Sequence, residues 1–242
     1  MWAIYIKEAN SFLNSLIGYI VIGVFLTGIG LLIWLFPETN VLDYGFADLE
    51  TLFTLGPFVL MFLIPAITMR TLAEEKKQGT LELLLTRPLT DWQIILGKYF
   101  SSLTLVVFAL APTLIYYFSL VALGSPPGNI DTAGVMGSYL GLFLLGGLFT
   151  ALGLLASSIT ENQIVAFILA VFLCFIAYQG FSSLAAINVW GSTSLLISQI
   201  GITYHYDALS RGLIDTRDVL YFVSAIVLML TLTHTVIGSR RW

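Results

Sequence analysis

The stretch TLFTLGPFVLMFLIPAITMRTL, from Thr51 to Leu72, decides the fold class. Its only charged residue is Arg70, near the end. A helix needs about 20 predominantly apolar residues to cross the hydrocarbon core of a bilayer. Runs of this kind recur along the chain without the polar–apolar alternation of barrel strands. We therefore predict an all-α membrane protein with six transmembrane helices: Ser15–Phe36, Thr51–Leu72, Ser101–Leu123, Gly134–Ser157, Gln163–Ala186 and Val219–Gly238.

The composition of the whole chain leads to the same class. Of its 242 residues, 58% are hydrophobic and 10% are charged, and the mean hydropathy is +0.94. A soluble domain has about 25% charged residues, so both a soluble globule and a disordered chain are excluded. The net charge of −4 does not indicate a nucleic-acid partner. The single cysteine, Cys174, can form neither an intramolecular disulfide nor a zinc site.

The distribution of basic residues predicts the orientation. With both termini inside, eight of the ten lysines and arginines are cytoplasmic, and Arg211 and Arg217 are the exceptions. Basic residues are enriched on the cytoplasmic side of membrane proteins, so we expect both termini to be cytoplasmic. The first apolar run is too long for a signal-peptide core, and no small-residue cleavage site follows it. We therefore expect a multi-pass protein of a bacterial inner membrane that keeps its N-terminus.

Two segments outside the predicted spans also have ordered patterns. In residues 1–14, apolar residues recur at helical spacing opposite polar ones such as Lys7 and Glu8. This pattern predicts a helix lying in the cytoplasmic interface. Residues 187–218 form an outer segment that is too apolar for a plain loop and too interrupted to span. Short re-entrant or interfacial helices are expected there.

The loop of residues 73–98, between the second and third predicted spans, carries most of the polar information. Gly79 can end the helix that leaves the membrane by taking a positive φ. Thr80 is a suitable N-cap for a new short helix, which Pro88 stops. The sequence T-D-W-Q that begins at Thr90 has capping-box spacing for the helix leading into the third span. The loop is therefore predicted to be a helix, a short helix and a helix joined by turns.

The short helix of this loop places Leu81, Leu84 and Leu85 on one side. A two-turn helix is unstable alone in water, so these leucines need a surface to cover them. Each buried leucine contributes about 1.5–3 kcal/mol. That surface is either a partner protein or the chain's own membrane-proximal face, and the residues alone do not choose between the two.

The loop resembles the first coupling helix of ABC-2 type transporter permeases, whose pattern runs close to E-x-K-x-G-T-L-E-x-L-L-x-x-P-x-x-x-x-x-I-x-x-G-K. The matching positions are Glu74 or Glu75, Lys77, Gly79, Thr80, Leu81, Glu82, Leu84, Leu85, Pro88, Ile94 or Ile95, Gly97 and Lys98. The resemblance covers nearly the whole chain and implies one permease domain over residues 1–242. Within the family, residues 83–98 look most like gliding-motility-associated permeases of the GldF type.

The resemblance implies a permease subunit. One six-helix chain would offer one ATPase dock where a closing ATPase dimer needs two, so we expect a second permease copy or a related membrane subunit beside it. Separate ATPase subunits, which hold ATP and Mg²⁺, would dock on the cytoplasmic side and drive transport, most simply export. The chain itself would be no enzyme and hold no cofactor, and its sequence lacks the phosphate-binding pattern G-x-x-x-x-G-K-[ST]. The residues implied in docking are Glu74, Glu75, Lys77, Gly79, Thr80, Leu81, Glu82, Leu84, Leu85, Arg87 and Pro88.

A second cytoplasmic contact is implied between the fourth and fifth spans, at Thr160, Glu161 and Asn162. The alternative function is a membrane anchor or mechanical scaffold of a motility or secretion machine that moves no solute itself. The transported substrate is not determined by the residues.

Other polar residues have structural explanations beside functional ones. Tyr116, Tyr117, Tyr178 and Gln179 could line a substrate path or make interhelical hydrogen bonds. The middles of the predicted spans carry no ionised residue, which argues against ion-coupled transport and against an intramembrane enzyme. Small residues from Gly137 to Ala151 predict close helix packing, within the chain or between two copies.

Overall fold

The computed structural model describes residues 1–43, 48–80, 89–126, 128–187 and 193–239. All regular elements in these ranges are helical. The α-helices are α1 (Trp2–Leu13), α2 (Leu16–Trp34), α3 (Glu50–Thr68), α4 (Ala73–Lys77), α5 (Asp91–Leu110), α6 (Leu114–Leu123), α7 (Thr132–Ile159), α8 (Gln163–Phe175), α9 (Phe181–Ala185), α10 (Ser194–Ile200), α11 (Ile202–Ser210) and α12 (Thr216–Gly238). Short 3-10 turns lie at Val41–Asp43 and Ala111–Thr113, and a π-helical turn at Ile176–Gly180 joins α8 to α9.

Within the described residues, five helical runs are long and apolar enough to cross a membrane: Glu50–Lys77, Asp91–Leu123, Thr132–Ile159, Gln163–Ala185 and Thr216–Gly238. A sixth is reached when α1 and Gly18–Trp34, which meet at a bend of 67°, are taken together. The helical fold of the described residues is therefore confirmed, and five of the six predicted spans coincide with candidate membrane-spanning helices. The sixth depends on α2, and the interfacial position of α1 stays a prediction.

Local capping signals set several helix boundaries. Thr90 Oγ1 accepts a hydrogen bond from the Gln93 backbone N–H, and Gln93 Oε1 accepts one from the Thr90 N–H, so the predicted capping box is present. Gly79 follows α4 with φ +68°, as predicted for a helix-ending glycine. Asp131 caps α7 by accepting from Gly134 N at 3.0 Å.

Helix α7 is the centre of the bundle, in contact with α3, α5, α8, α11 and α12. Its small residues bring these neighbours close. A β-carbon at Gly137 would lie 2.8 Å from Gly212 Cα, and one at Gly146 would lie 2.9 Å from Val106 Cγ1. Ala151 is completely buried. The predicted stripe of small residues therefore packs within the chain.

The predicted outer segment contains two short helices, α10 and α11, and residues 188–192 at its start lie outside the described part. Helix α11 packs on α7, where Leu209 faces Gly141 and Ser138 Oγ donates to Ser210 O at 2.8 Å. Tyr206 is buried, and its hydroxyl donates to Phe53 O of α3 at 2.6 Å. Short helices here are confirmed, while their depth in a membrane stays a prediction.

Candidate functional site

The described residues of the predicted coupling loop lie at one end of the bundle, with α1, α4 and the start of α5. We call this end of the bundle the basic end because Lys7, Lys76, Lys77 and Lys98 lie there. The predicted docking residues Leu81, Glu82, Leu84, Leu85, Arg87 and Pro88 fall outside the described residues. Glu74, Glu75, Lys77, Gly79 and Thr80 lie in α4 or directly after it.

Helix α4 is anchored to the end of α7 by Ser157. The buried Ser157 Oγ donates to Met69 O at 3.0 Å. It also accepts from Leu72 N at 3.1 Å and from Ala73 N at 3.0 Å. One hydroxyl thus uses its single proton and both lone pairs on the break between α3 and α4. Sequence reasoning did not find this role, because a serine at the end of a predicted span has no pattern that names its partners.

A hydrogen bond also holds α4 beside the second predicted contact. Lys76 Nζ donates to the Ser158 carbonyl. Directly beyond, Thr160 Oγ1 accepts from Asn162 N at 3.2 Å and Asn162 Oδ1 accepts from Ile164 N at 2.9 Å, so this turn also caps α8. The structure therefore brings the described docking residues of α4 and the second predicted contact to the same end of the bundle.

The described docking residues differ in accessibility. Lys77 and Gly79 are exposed, and Glu74 and Thr80 are half-buried. Glu75 is buried, and its carboxylate faces other helices of the chain. Its Oε1 lies 3.3 Å from Lys7 Nζ, and its Oε2 lies 2.9 Å from Lys98 Nζ.

Lys98 is the buried centre of an ionic cluster, which comprises Lys7, Glu8, Glu75 and Lys98. Its side chain is 0% exposed. The ammonium donates to Thr71 O at 2.6 Å and to Glu8 Oε1 at 3.1 Å, and pairs with Glu75 Oε2. That Glu75 oxygen makes no hydrogen bond of regular geometry, so the nearby ammonium is its main compensation. Two lysines and two glutamates leave the ionic cluster with a formal charge of zero.

The ionic cluster connects three segments that are distant in sequence. Glu8 belongs to α1, Glu75 to α4 and Lys98 to α5. Beside it lies a cleft of about 320 Å³, whose lining includes Arg70 and Glu74. Arg70 donates to Ser15 Oγ at 3.3 Å and its guanidinium lies over the Phe12 ring at 4.9 Å. The family pattern contains Lys98, but nothing in the sequence indicates its partners in α1 and α4.

The predicted path-lining residues make separate contacts in different parts of the bundle. Tyr116 donates to Leu26 O at 3.1 Å, and the Tyr117 hydroxyl lies 3.0 Å from Thr132 Oγ1. These bonds fit the interhelical alternative. Tyr178 is buried against the rings of Phe58, Phe149 and Tyr206. Gln179 lies in the π-helical turn, where its carbonyl accepts from Ser182 Oγ at 2.9 Å.

The opposite end of the bundle carries an acidic cleft of about 580 Å³ that sequence reasoning did not find. Its charged lining is Asp48, Glu50, Asp131, Asp207 and Arg211. Burial raises the pKa of the Asp207 carboxyl, and the charge of Arg211 opposes this rise. Asp48 and Asp131 accept hydrogen bonds from backbone N–H groups at the starts of α3 and α7, so they have a structural use.

His205 belongs to α11 at this same end, and its side chain contacts α12. Its Nδ1 is 2.7 Å from Asp218 Oδ1, and its Nε2 is 2.9 Å from Gln199 O. Its ring stacks on Tyr221 at 3.9 Å. Both ring nitrogens therefore contact oxygens of the chain, which fits a packing role for this histidine.

Comparison with known proteins places these features in a family. The family model described as "ABC-2 family transporter protein" matches residues 40–239. Two curated relatives, from Escherichia coli strains K12 and O157:H7, both carry the name "Probable multidrug ABC transporter permease YbhR". Each is 35% identical over 103 residues, which cover 42% of this chain and 26% of the relative. With a helical membrane fold and a family match over most of its length, the chain belongs to the ABC-2 family of transporter proteins.

Proposed function

We propose that this permease is driven by separate ABC ATPase subunits that dock on its basic end, through the short helix predicted within residues 80–88. The observation that carries this proposal is the anchoring of α4. Ser157 and Lys76 hold it to α7, and the ionic cluster holds it to α1 and α5. A displacement of the residues that follow α4 would therefore be transmitted to several spans at once.

The proposed mechanism is a switch between two packings of the spans. Closure of an ATPase dimer displaces the short helix, and packed helices respond by changing from one discrete arrangement to another. One chain offers one such dock, whereas a closing dimer needs two. The working complex therefore includes a second copy or a related membrane subunit. In this arrangement the basic end and both termini are cytoplasmic, in agreement with the distribution of lysines.

Two observations indicate the class of the transported compound. The relatives are named as multidrug permeases, although the chain matches about a quarter of their length. The middles of the predicted spans also lack ionised side chains. Both favour export of an apolar or amphipathic compound. A link to gliding motility rests on the resemblance of residues 83–98 alone and is the narrower form of this proposal.

The docking proposal is tested with Leu84→Asp. The chain is co-expressed with a candidate ABC ATPase, and the amount of ATPase that co-purifies is measured. Loss of one buried leucine, about 1.5–3 kcal/mol, corresponds to at least a tenfold weaker association. Leu83→Asp is the matched control, because Leu83 lies off the predicted leucine face. Equal co-purification of both variants, with the wild type bound, would overturn docking through this helix.

A second measurement separates transport from the scaffold alternative. The complex is reconstituted in proteoliposomes, and ATP hydrolysis is measured with and without a panel of amphipathic compounds. A transporter is expected to hydrolyse ATP faster with its cargo and to move that cargo across the bilayer. ATP hydrolysis that no compound stimulates, with no movement of solute, would support the scaffold and overturn the transport proposal.

A further inference from the structure

The N-terminal helix α1 lies along α5 and is held there by packing. Its Tyr5 hydroxyl is 3.1 Å from Thr104 Oγ1 of α5. A β-carbon at Gly97 would lie 3.1 Å from Ile4 Cβ, so the two helices are already in close contact. This contact fixes α1 to α5, but it does not connect either helix to α4.

The ionic cluster supplies that connection. Lys98 on α5 reaches Glu8 on α1 and Glu75 on α4, and it also donates to Thr71 O in the break before α4. Lys7 on α1 adds a direct contact to Glu75 at 3.3 Å. The Lys98 ammonium thus donates hydrogen bonds to Thr71 O and Glu8 Oε1 and forms an ion pair with Glu75, so it contacts two segments other than its own helix.

Stability by itself is a poor explanation for such a cluster. Apolar residues of similar volume often stabilise a fold as well as a buried ion pair does, or better. Breaking one partner away from a buried charge is strongly unfavourable, however. If α4 moved without α1 and α5, Glu75 would lose both of its lysines, and Lys98 would lose one of its two carboxylates. Moving the three helices together preserves every one of these contacts.

We propose that Lys98 is a positioning residue for coupling, which makes α1, α4 and α5 move as one body when the segment after α4 is displaced. This inference rests on the proposed function, because the displacement comes from the docked ATPase. It assigns the N-terminal helix a part in the motion, although none of the predicted docking residues lies in that helix.

The test uses a variant that removes the ionic link without leaving an uncompensated charge. Lys98→Met alone would leave Glu8 and Glu75 facing only Lys7. Lys98→Met with Glu75→Gln leaves the neutral pair Lys7–Glu8. Glu8→Gln is a milder second variant, because the Glu8 side chain is partly exposed to solvent. Its substitution removes the link between α1 and Lys98 and leaves the Lys98–Glu75 pair in place.

Distances are measured by double electron–electron resonance between spin labels. The chain has one cysteine, so Cys174→Ser provides the background. One label pair, Asn10→Cys and Gln78→Cys, reports α1 against α4. Another, Asn10→Cys and Ile164→Cys, reports α1 against the start of α8. The wild type, the double variant and Glu8→Gln are each measured in the complex with the co-purified ABC ATPase, before and after trapping with ATP and vanadate.

The wild type is expected to keep the 10–78 distance and to shift the 10–164 distance on trapping. In the double variant the 10–78 distance is expected to shift, and the 10–164 shift is expected to be lost. Glu8→Gln should broaden the 10–78 distribution. A wild-type pattern in the double variant, or a 10–78 shift in the wild type, would overturn the inference. Absence of ATPase from wild-type preparations would instead overturn the proposed function, so the two failures are distinguishable.

Discussion

Helices α7 and α8 are neighbours in sequence and similar in hydrophobicity, yet they occupy opposite environments. The most apolar part of α7 is 83% buried inside the chain, whereas that of the run Gln163–Ala185, which contains α8, is 22% buried. Hydropathy recognises both as spans because it measures transfer from water into lipid. It does not distinguish a helix surrounded by protein from one that faces outward.

The difference between them lies in small residues. Helix α7 contains six glycines, and α8 contains none. Lipid tails are as apolar as leucine, so helices in a bilayer associate through close packing and hydrogen bonds instead of a hydrophobic driving force. Glycines permit that close packing. The large side chains of α8, such as Phe172 and Ile168, remain on its outer face.

The strongest test of this comparison is Gly137→Leu. A side chain here would collide with the Gly212 backbone, which cannot rotate away and itself has φ +78°. We expect destabilisation of at least about 3 kcal/mol, seen as a lowered thermal midpoint in detergent. Met136→Leu, at an exposed neighbouring position, is the control. Equal midpoints for the two variants would show that α7 is not closely packed there.

A matched pair of phenylalanines comes next. Phe149 in α7 is 0% exposed, and Phe172 in α8 is 57% exposed. Phe149→Ala is expected to cost about 3 kcal/mol through a cavity and lost packing, whereas Phe172→Ala should stay within about 0.5 kcal/mol. The free energy of unfolding in mixed micelles measures both. The comparison fails if the two substitutions have the same cost.

Ser157→Ala tests the hydrogen bonds by which α7 anchors α4. The substitution leaves two buried N–H groups and one carbonyl of the α3–α4 break without their partner. We expect a loss of about 1–3 kcal/mol in the free energy of unfolding. Ser158→Ala is the matched control, because the buried Ser158 hydroxyl donates only to Leu155 O of its own helix. A larger effect of the control would contradict the anchoring role of Ser157.

The smallest effect is expected for Gly147→Ala. The added methyl would meet the tips of two side chains, Tyr99 Oη at 3.0 Å and Ile226 Cδ1 at 3.3 Å. Such tips can shift, so the cost should be about 1 kcal/mol or less. A change in thermal midpoint as large as that of Gly137→Leu would mean that side chains at this contact are as rigid as backbone.

Much of the local structure could be predicted from the residues. The capping box at Thr90 and Gln93 and the helix end at Gly79 depend on residues within a few positions of each other, and both are confirmed. Five of the predicted spans also coincide with candidate membrane-spanning helices. The predicted docking helix at 81–88 lies outside the described residues and stays a prediction.

The candidate site was predicted less completely. The family pattern identified Glu75 and Lys98 as matching positions, but it did not show that they contact each other or that Glu8 joins them. No periodicity or spacing connects residues 8, 75 and 98, because their proximity results from how α1, α4 and α5 pack. The acidic cleft at the opposite end was missed for the same reason.

By itself, the sequence determined the membrane class, the approximate positions of five candidate spans and the positions of several turns. These properties depend on transfer free energy and on hydrogen bonds within a few residues, so they can be read along the chain. Only the tertiary structure decided that α7 is central, that Ser157 anchors α4, and that Lys98 is buried between two glutamates. Those outcomes depend on which surfaces approach one another, and distant parts of the chain contribute each surface.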